Sequence, residues 1–287
     1  MVEWTVIVPF FNERACIAET IASLAQQTMP FRLLLVDNGS TDDSAAIADK
    51  AARVHALDYT IVTEPSAGKV SALRAGLRET HTRWIATCDA DTLYPPQYLA
   101  AASAQLARSG CVVTGAYRVP RGAGPIKRAA KAWQIRNTAR LLRRQSHSGG
   151  WGQAFCTGSL CAVGGFDPSV WNFVLEDHEV IHRLMRQGRM RYSNDLWCMP
   201  SPRKRDRDSV RWTFIERLTY SLVAPWAGDW YFYSFLSRRL QRRKLFSHRL
   251  RERQYQQPDE RPLFASRPID VTIATQANRE TGHRLGA

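Results

Sequence analysis

Over its first 118 residues the chain alternates short apolar runs with helical patterns, and no other feature restricts its fold as much. Residues 5–10, 33–37, 59–63, 83–88 and 111–117 are rich in β-branched and aliphatic side chains and read as strands. Between them, residues 15–26, 42–55, 69–80 and 96–108 carry apolar positions at helical spacing. Strands joined by helices run parallel and must be covered on both faces, so the expectation is an α/β fold with a mostly parallel central sheet. Ligands bind such sheets at the carboxyl ends of the strands, which is where the polar residues of this chain cluster.

The most informative strand end is Trp84-Ile-Ala-Thr-Cys-Asp-Ala-Asp-Thr-Leu93, where an apolar run meets Asp89 and Asp91, one residue apart. Alternating side chains place both carboxylates on one side of an extended chain, and two clustered anions call for a positive charge between them. A hard divalent cation, Mn²⁺ or Mg²⁺, accepts such oxygens while keeping sites for water and phosphate. Taken alone, the same three residues equally describe a polar turn that bonds its own backbone. A second strand, Thr5-Val-Ile-Val-Pro-Phe-Phe-Asn-Glu13, breaks at Pro9 and presents Asn12 and Glu13. A third, Val36-Asp-Asn-Gly-Ser-Thr-Asp-Asp43, ends with Gly39 suited to a turn and Ser40 or Thr41 suited to a helix cap.

With Ala67-Gly-Lys69 between them, these motifs in this order closely resemble the family-2 glycosyltransferases of GT-A fold. The resemblance runs from Val6 to about Gly188 and takes in Gly164-Gly-Phe-Asp and Leu175-Glu-Asp-His-Glu-Val-Ile-His-Arg-Leu184. It implies a Rossmann-like nucleotide-diphospho-sugar transferase, inverting and metal-dependent, that moves one sugar from a nucleotide-sugar donor, UDP-linked by expectation, to an acceptor hydroxyl. By the same resemblance Pro9, Phe11 and Glu13 line the nucleotide pocket, Asp37 receives the base, and Lys69 lies near the nucleotide or its phosphates. Asp89 lies near ribose and metal, Asp91 on the Mn²⁺ or Mg²⁺ itself, and Asp177 matches the catalytic base. Glu176 is the alternative base and His178 a weaker rival, while Asp177 in a purely structural role would cap its helix. His178 and His182, one turn apart, read as structural rather than metal-binding.

The Gln-x-x-Arg-Trp signature of processive synthases is absent, which favours single addition. The basic run Ser201-Pro-Arg-Lys-Arg-Asp-Arg207 offers Arg203 or Arg205 as a clamp for the diphosphate, or else a solvated loop. The nearest enzymatic rival is a sugar-1-phosphate nucleotidyltransferase, but the Gly-rich, Arg-containing loop expected there after Val8 is missing.

Composition sets the remaining bounds. Forty basic against 26 acidic residues leave +14, which favours an anionic partner. No nucleic-acid-binding motif accompanies the charge, so nucleic acid is not expected and an anionic membrane surface or phosphorylated substrate is. The six cysteines show no paired or zinc-type spacing and read as reduced thiols, and neither a signal-peptide pattern nor an 18-residue apolar run occurs; the expectation is a cytoplasmic protein. Residues 1–205 are read as the catalytic domain, with 1–118 its nucleotide-sugar half and 119–205 its acceptor half. Residues 206–253 form a basic, aromatic helical extension, and 254–287 a polar tail without assigned fold. Within the acceptor half, Ile126, Ala129, Ala130 and Trp133 share one side of a basic helical pattern, which suits either a membrane surface or packing through Trp133. The extension interleaves Trp212, Phe214, Tyr220, Trp226 and Trp230 to Phe232 with arginines. That pattern suits a peripheral protein working on a glycan or lipid-linked acceptor at the cytoplasmic membrane face, or aromatics packed on the catalytic domain.

Overall fold

A computed structural model describes residues 2–201 and 212–252. The amino-terminal half runs β1 (Trp4–Phe10), α1 (Ile17–Leu24), β2 (Phe31–Asp37), α2 (Ser44–Val54), β3 (Tyr59–Thr63), α3 (Lys69–Arg78), β4 (Trp84–Cys88), β5 (Thr92–Leu93), α4 (Tyr98–Leu106), β6 (Cys111–Gly115) and β7 (Tyr117–Arg118). There follow α5 (Pro125–Leu141), β8 (Gly152–Cys156), α6 (Thr157–Ala162), α7 (Glu176–Leu184), β9 (Arg189–Arg191) and β10 (Trp197–Pro200). The carboxy-terminal part holds α8 (Phe214–Leu222), α9 (Ala224–Asp229), a π-helical stretch Trp230–Leu236, α10 (Ser237–Arg242) and a 3₁₀ turn Ser247–Glu252.

The central sheet has seven strands in the order β3-β2-β1-β4-β8-β6-β9. All pairings in it are parallel except those of β8, which lies antiparallel between β4 and β6. Alternation along β1 and β2 divides the core. Val6, Val8, Leu33 and Leu35 pack with α1, α2 and α4 on one face, while Ile7, Leu34 and Val36 pack with α3 and α7 on the other. This two-sided burial is why both strands read as continuous apolar runs. The expected α/β fold with a mostly parallel sheet is the fold observed.

Two segments change course within a short stretch. Residues 190–199 form two strands, because the chain changes partner: β9 extends the main sheet beside β6, whereas β10 joins a small sheet between β5 and β7. Residues 154–163 divide at Cys156 into β8 and α6. The carboxy-terminal helices also share a core with the acceptor half. Trp171 and Val174 pack with Tyr220, Tyr231, Phe232, Leu236 and Leu240, so much of the aromatic content of 206–253 is interior. All six cysteines are free thiols. Among the described residues no helix is long and apolar enough to cross a membrane.

Candidate active site

At the carboxyl ends of β1, β2 and β4 the chain opens a solvent-connected cleft of about 170 Å³, walled by Pro9, Phe11, Glu13, Lys69, Asp89 and Asp91. Its rim is built by side chains that tie neighbouring loops together. Asn12 adopts a left-handed conformation (φ 54°), and its side-chain oxygen accepts the Thr41 N–H at 2.9 Å, joining the β1 and β2 exits. The Glu13 N–H donates to Ser44 Oγ at 2.7 Å, which holds the Glu13 backbone against the start of α2. Asn38 donates to the carbonyls of Glu64 and Ser66 and accepts the Gly68 N–H at 2.8 Å, fixing the loop that delivers Lys69. Asp37 is buried beside it; its carboxylate accepts the Ser40 N–H at 2.8 Å and is not among the described cleft-lining groups.

β4 ends at Cys88, so Asp89 and Asp91 sit in the turn between β4 and β5 rather than on the strand itself. Both face the cleft, but in different settings. Asp91 is 4% exposed, not the open strand-end group that the sequence suggests. Its turn is held from two sides: Thr20 Oγ1 donates to the Ala90 carbonyl at 2.8 Å, and the Ser201 N–H donates to the Asp91 carbonyl at 2.7 Å. Asp89 is more open and accepts Lys69 Nζ at 2.6 Å. The Tyr94 hydroxyl accepts the Asp89 N–H at 2.8 Å and donates to the Trp151 carbonyl at 2.6 Å, clamping the acidic turn to the Gly149-Gly-Trp-Gly segment.

Lys69 is shared between two spaces. Behind the cleft it also lines a much smaller cavity of about 10 Å³ with Thr87, Gly150, Gln153, Glu176 and Asp177. Its ammonium lies 3.6 Å from Glu176 Oε1. A carbon added to Gly150 would come within 3.3 Å of Asp177 Cβ and 3.4 Å of Lys69 Nζ, so a side chain there would crowd both groups. Leu175, held left-handed at φ 66°, precedes α7 and turns both acids inward. Neither acid caps the helix. Strain of this kind, at a residue other than glycine, concentrates at functional sites.

The two acids differ electrostatically. Burial pushes the Glu176 carboxyl up, and the opposing pull of Lys69 is not enough to reverse this with Asp177 also adjacent, so Glu176 lies above the ordinary carboxylate value. Burial acts the same way on Asp177, but His178, 3.1 Å away, and Lys69 outweigh it and hold Asp177 below the ordinary value. Opposite shifts on adjacent carboxyls make Asp177 the better candidate base of the two. Burial disfavours the Lys69 ammonium, yet Asp89 and Glu176 more than compensate and keep it charged.

Among the described residues no three or more His, Cys, Asp or Glu side chains converge as a metal cage. That agrees with a cation held by one or two carboxylates and completed by phosphate and water, the usual arrangement for Mg²⁺, and Asp91 with Asp89 fits it. His182 contacts Asp229 at 2.9 Å and stacks on Phe232, while His178 lies against Trp212 and Tyr220, so the histidine pair does not converge. Arg203 and Arg205 lie outside the described residues. The sequence reading passed over Asn38 and Tyr94, although each stands within five residues of a named carboxylate. It also passed over Ser247 and Leu250, which line the cleft from the far end of the chain without any local signal.

The profile of the family described as glycosyl transferase family 2 matches residues 5–164, more than half of the chain. An uncharacterized glycosyltransferase, YaiP of Escherichia coli (strain K12), is 32% identical over 90 residues, 31% of this chain and 23% of that protein. The undecaprenyl-phosphate 4-deoxy-4-formamido-L-arabinose transferase of Serratia proteamaculans (strain 568) is 30% identical over 122 residues, 41% of this chain and 37% of that protein. The matches thus span well under half the length of these two relatives. Among solved structures, the mannosyltransferase PcManGT of Pyrobaculum calidifontis, in complex with GDP-Man and Mn²⁺, superposes with a TM-score of 0.61 at 28% identity. That match covers 79% of this chain and 64% of that one. Residues 1–349 of S. aureus TarS share the fold at 18% identity, with a TM-score of 0.56 over 83% of this chain and 72% of that one.

Proposed function

The chain belongs to glycosyl transferase family 2, and from that premise we propose that it is an inverting, metal-dependent glycosyltransferase. It moves one sugar from a nucleoside-diphosphate sugar to an acceptor hydroxyl, and the acceptor is a glycan or lipid-linked molecule met at the cytoplasmic membrane face. The observation that carries this reading is the division of labour around Lys69. A cleft with Asp89 and Asp91 lies on one side of it, and a small cavity with Glu176, shifted up by burial, and Asp177, held down by His178 and Lys69, on the other.

In this reading the donor occupies the larger cleft, its nucleoside against Pro9, Phe11 and Glu13, with Asp37 at its edge and Arg203 or Arg205 on the diphosphate. Asp91, with Asp89, would hold Mn²⁺ or Mg²⁺, which when bound offsets the charge that develops on the departing diphosphate. Lys69 adds a second positive charge at the junction. The acceptor hydroxyl enters beside Gly150 and Gln153, and Asp177 takes its proton as the new bond forms. Burial shifts the Glu176 carboxyl up while His178 and Lys69 hold Asp177 down, so Asp177 is the readier of the two to accept the proton.

UDP is the nucleotide expected from the sequence motifs. GDP-mannose is a specific second reading, because PcManGT carries GDP-Man at 28% identity. The lipid-linked acceptor is supported by the name of the Serratia relative, an undecaprenyl-phosphate transferase. Incubating pure protein with UDP- and GDP-sugars, with Mn²⁺, Mg²⁺ or chelator, and measuring nucleotide release tests donor and metal together. Release that is unaffected by chelator contradicts metal dependence, and no release from any donor with acceptor extracts present contradicts the assignment.

A further inference from the structure

Helix α8 is inside out for a soluble protein. Its one carboxylate, Glu216, is fully buried, where it closes a capping box with Thr213 and pairs with Arg239 at 3.1 Å and Arg243 at 2.9 Å. Its outward positions are Phe214 (79% exposed), Ile215, Leu218 and Leu222. At about 100° per residue these four lie within an arc of roughly 100°, a continuous apolar stripe on the solvent side. Trp226, one turn beyond in α9, is 85% exposed.

Helix α5 repeats the pattern. Only Ala132 and Ile135 are buried, whereas Ile126, Ala130, Trp133 and Leu141 share the opposite face, with Trp133 69% exposed. Packing through Trp133, one of the two roles that the sequence allowed, is therefore not what the helix does. The two stripes meet where the Arg144 guanidinium lies 5.7 Å from the Trp226 ring and donates to the Pro225 carbonyl. The charge that accompanies both stripes is mainly basic, and the one exposed carboxylate of α9, Asp229, is paired with His182 and Arg186. Lys127, Lys131, Arg140, Arg143 and Arg217 surround them, and residues 92–166 contain no Asp or Glu at all.

We infer that α5 and α8–α9 together form a docking surface for an anionic lipid bilayer. Exposed apolar patches rimmed by polar groups mark interaction sites. Tryptophan and basic side chains beside aliphatic ones match the headgroup boundary, where rings and alkyl groups enter and cations meet lipid phosphates. A protein partner of matching charge would need an acidic, apolar face, whereas a bilayer meets all these groups with one surface. The inference deepens the reading of a lipid-linked acceptor and rests on it for purpose, though its test does not require turnover.

The full chain is floated with vesicles of phosphatidylcholine, with or without phosphatidylglycerol, at low salt. One variant carries Trp133→Ser, Leu218→Ser and Trp226→Ser; another carries Arg140→Gln, Arg143→Gln and Arg217→Gln. The parent is expected to float with the anionic vesicles. The charge variant should bind about 100-fold more weakly, at about fivefold per cation, and the apolar variant at least tenfold more weakly. All substituted side chains are exposed, so donor hydrolysis in solution stays at the parental level. A parent that remains soluble overturns the inference. So does equal flotation of both variants, which would put contact elsewhere, or a concentration-dependent dimer abolished by the apolar substitutions, which would make a second copy the occupant. If the parent floats but hydrolyses no donor, the docking surface stands and the enzymatic reading fails.

Discussion

Lys69→Met removes the charge on which both halves of the site depend. In the parent, Lys69 Nζ lies 2.6 Å from Asp89 and 3.6 Å from Glu176, with side-chain exposures of 31% for Lys69, 29% for Asp89 and 14% for Glu176. Breaking a fully buried ion pair costs about 3–5 kcal/mol, and partial solvent screening at Lys69 and Asp89 reduces this to roughly 1–3 kcal/mol. At about 2–4 °C per kcal/mol for a chain of this size, the melting temperature should fall by roughly 2–10 °C. The chemical consequence is larger. Lys69 pulls the carboxyls of Glu176 and Asp177 down, so without it both rise. In the proposed mechanism Asp177 is the base, so raising its pKa moves the acid limb of kcat/KM to higher pH. At neutral pH turnover should fall by about 10²–10⁴-fold. Lys69→Arg should keep the charge and much of the pH profile while lowering the rate through misplacement. The assay is nucleotide release against pH at saturating Mn²⁺, paired with thermal melts. An acid limb that does not move in Lys69→Met, with a rate loss of any size, would refute the electrostatic coupling and leave Lys69 as a positioning contact only.

Asp91→Asn should abolish metal-dependent donor binding in calorimetry while circular dichroism stays parental, since the amide fits the same buried space. Parental binding of nucleotide with Mn²⁺ would remove Asp91 from the metal site. Asp177→Asn should lower transfer by about 10²–10⁴-fold at nearly unchanged donor affinity, and Glu176→Gln should do less, because burial shifts the Glu176 carboxyl up whereas His178 and Lys69 hold Asp177 down as the readier base; the reverse ranking moves the base to Glu176. Glu216 reports on stability. Burial raises its carboxyl, but Thr213, Arg239 and Arg243 outweigh this and hold it below the ordinary value. Its contribution is therefore present above the unfolded carboxylate pKa and is lost as pH falls through the lower folded one. Melting temperature should drop through that acid window in the parent, and Glu216→Gln should be destabilised at neutral pH with a flatter acid dependence.

β1, β2 and β4 were legible because they are largely buried on both faces and end in polar residues, a pattern visible one strand at a time, and the half-buried edge strand β3 through its β-branched residues. Residues 59–63 match β3 as read, and the neighbouring strands shift by one or two residues at their ends. The antiparallel insertion of β8 was not legible. Gly152–Cys156 contains nothing that distinguishes a strand running with its neighbours from one running against them; direction is set by the route of α5 and the Gly149-Gly150 turn. The acids were visible as Asp-Ala-Asp and Glu-Asp, but their pairing through Lys69 was not. That pairing depends on Gly150 leaving room for the lysine from a loop about 80 residues away in sequence.

The aromatic carboxy-terminal stretch shows most clearly where sequence reasoning runs out. Tyr220, Tyr231 and Phe232 are buried against Trp171, while Phe214, Trp226 and Trp230 face solvent. Both sets are aromatic, and helical periodicity alone cannot say which face is inward. The deciding residue is Glu216: buried between Arg239 and Arg243, it fixes the rotation of α8 and so turns Phe214, Leu218 and Leu222 outward. A polar anchor inside thus exposes an apolar face outside. From the same region the chain returns to the donor cleft, where Ser247 Oγ accepts the Val70 N–H at 3.4 Å across 177 residues of sequence. One carboxy-terminal segment therefore closes the wall of the donor site and carries the apolar face proposed to meet the bilayer. Under the proposed function a lipid-linked acceptor and a nucleotide-sugar donor would reach Lys69 from different sides, the small cavity and the cleft, as transfer at a membrane surface requires.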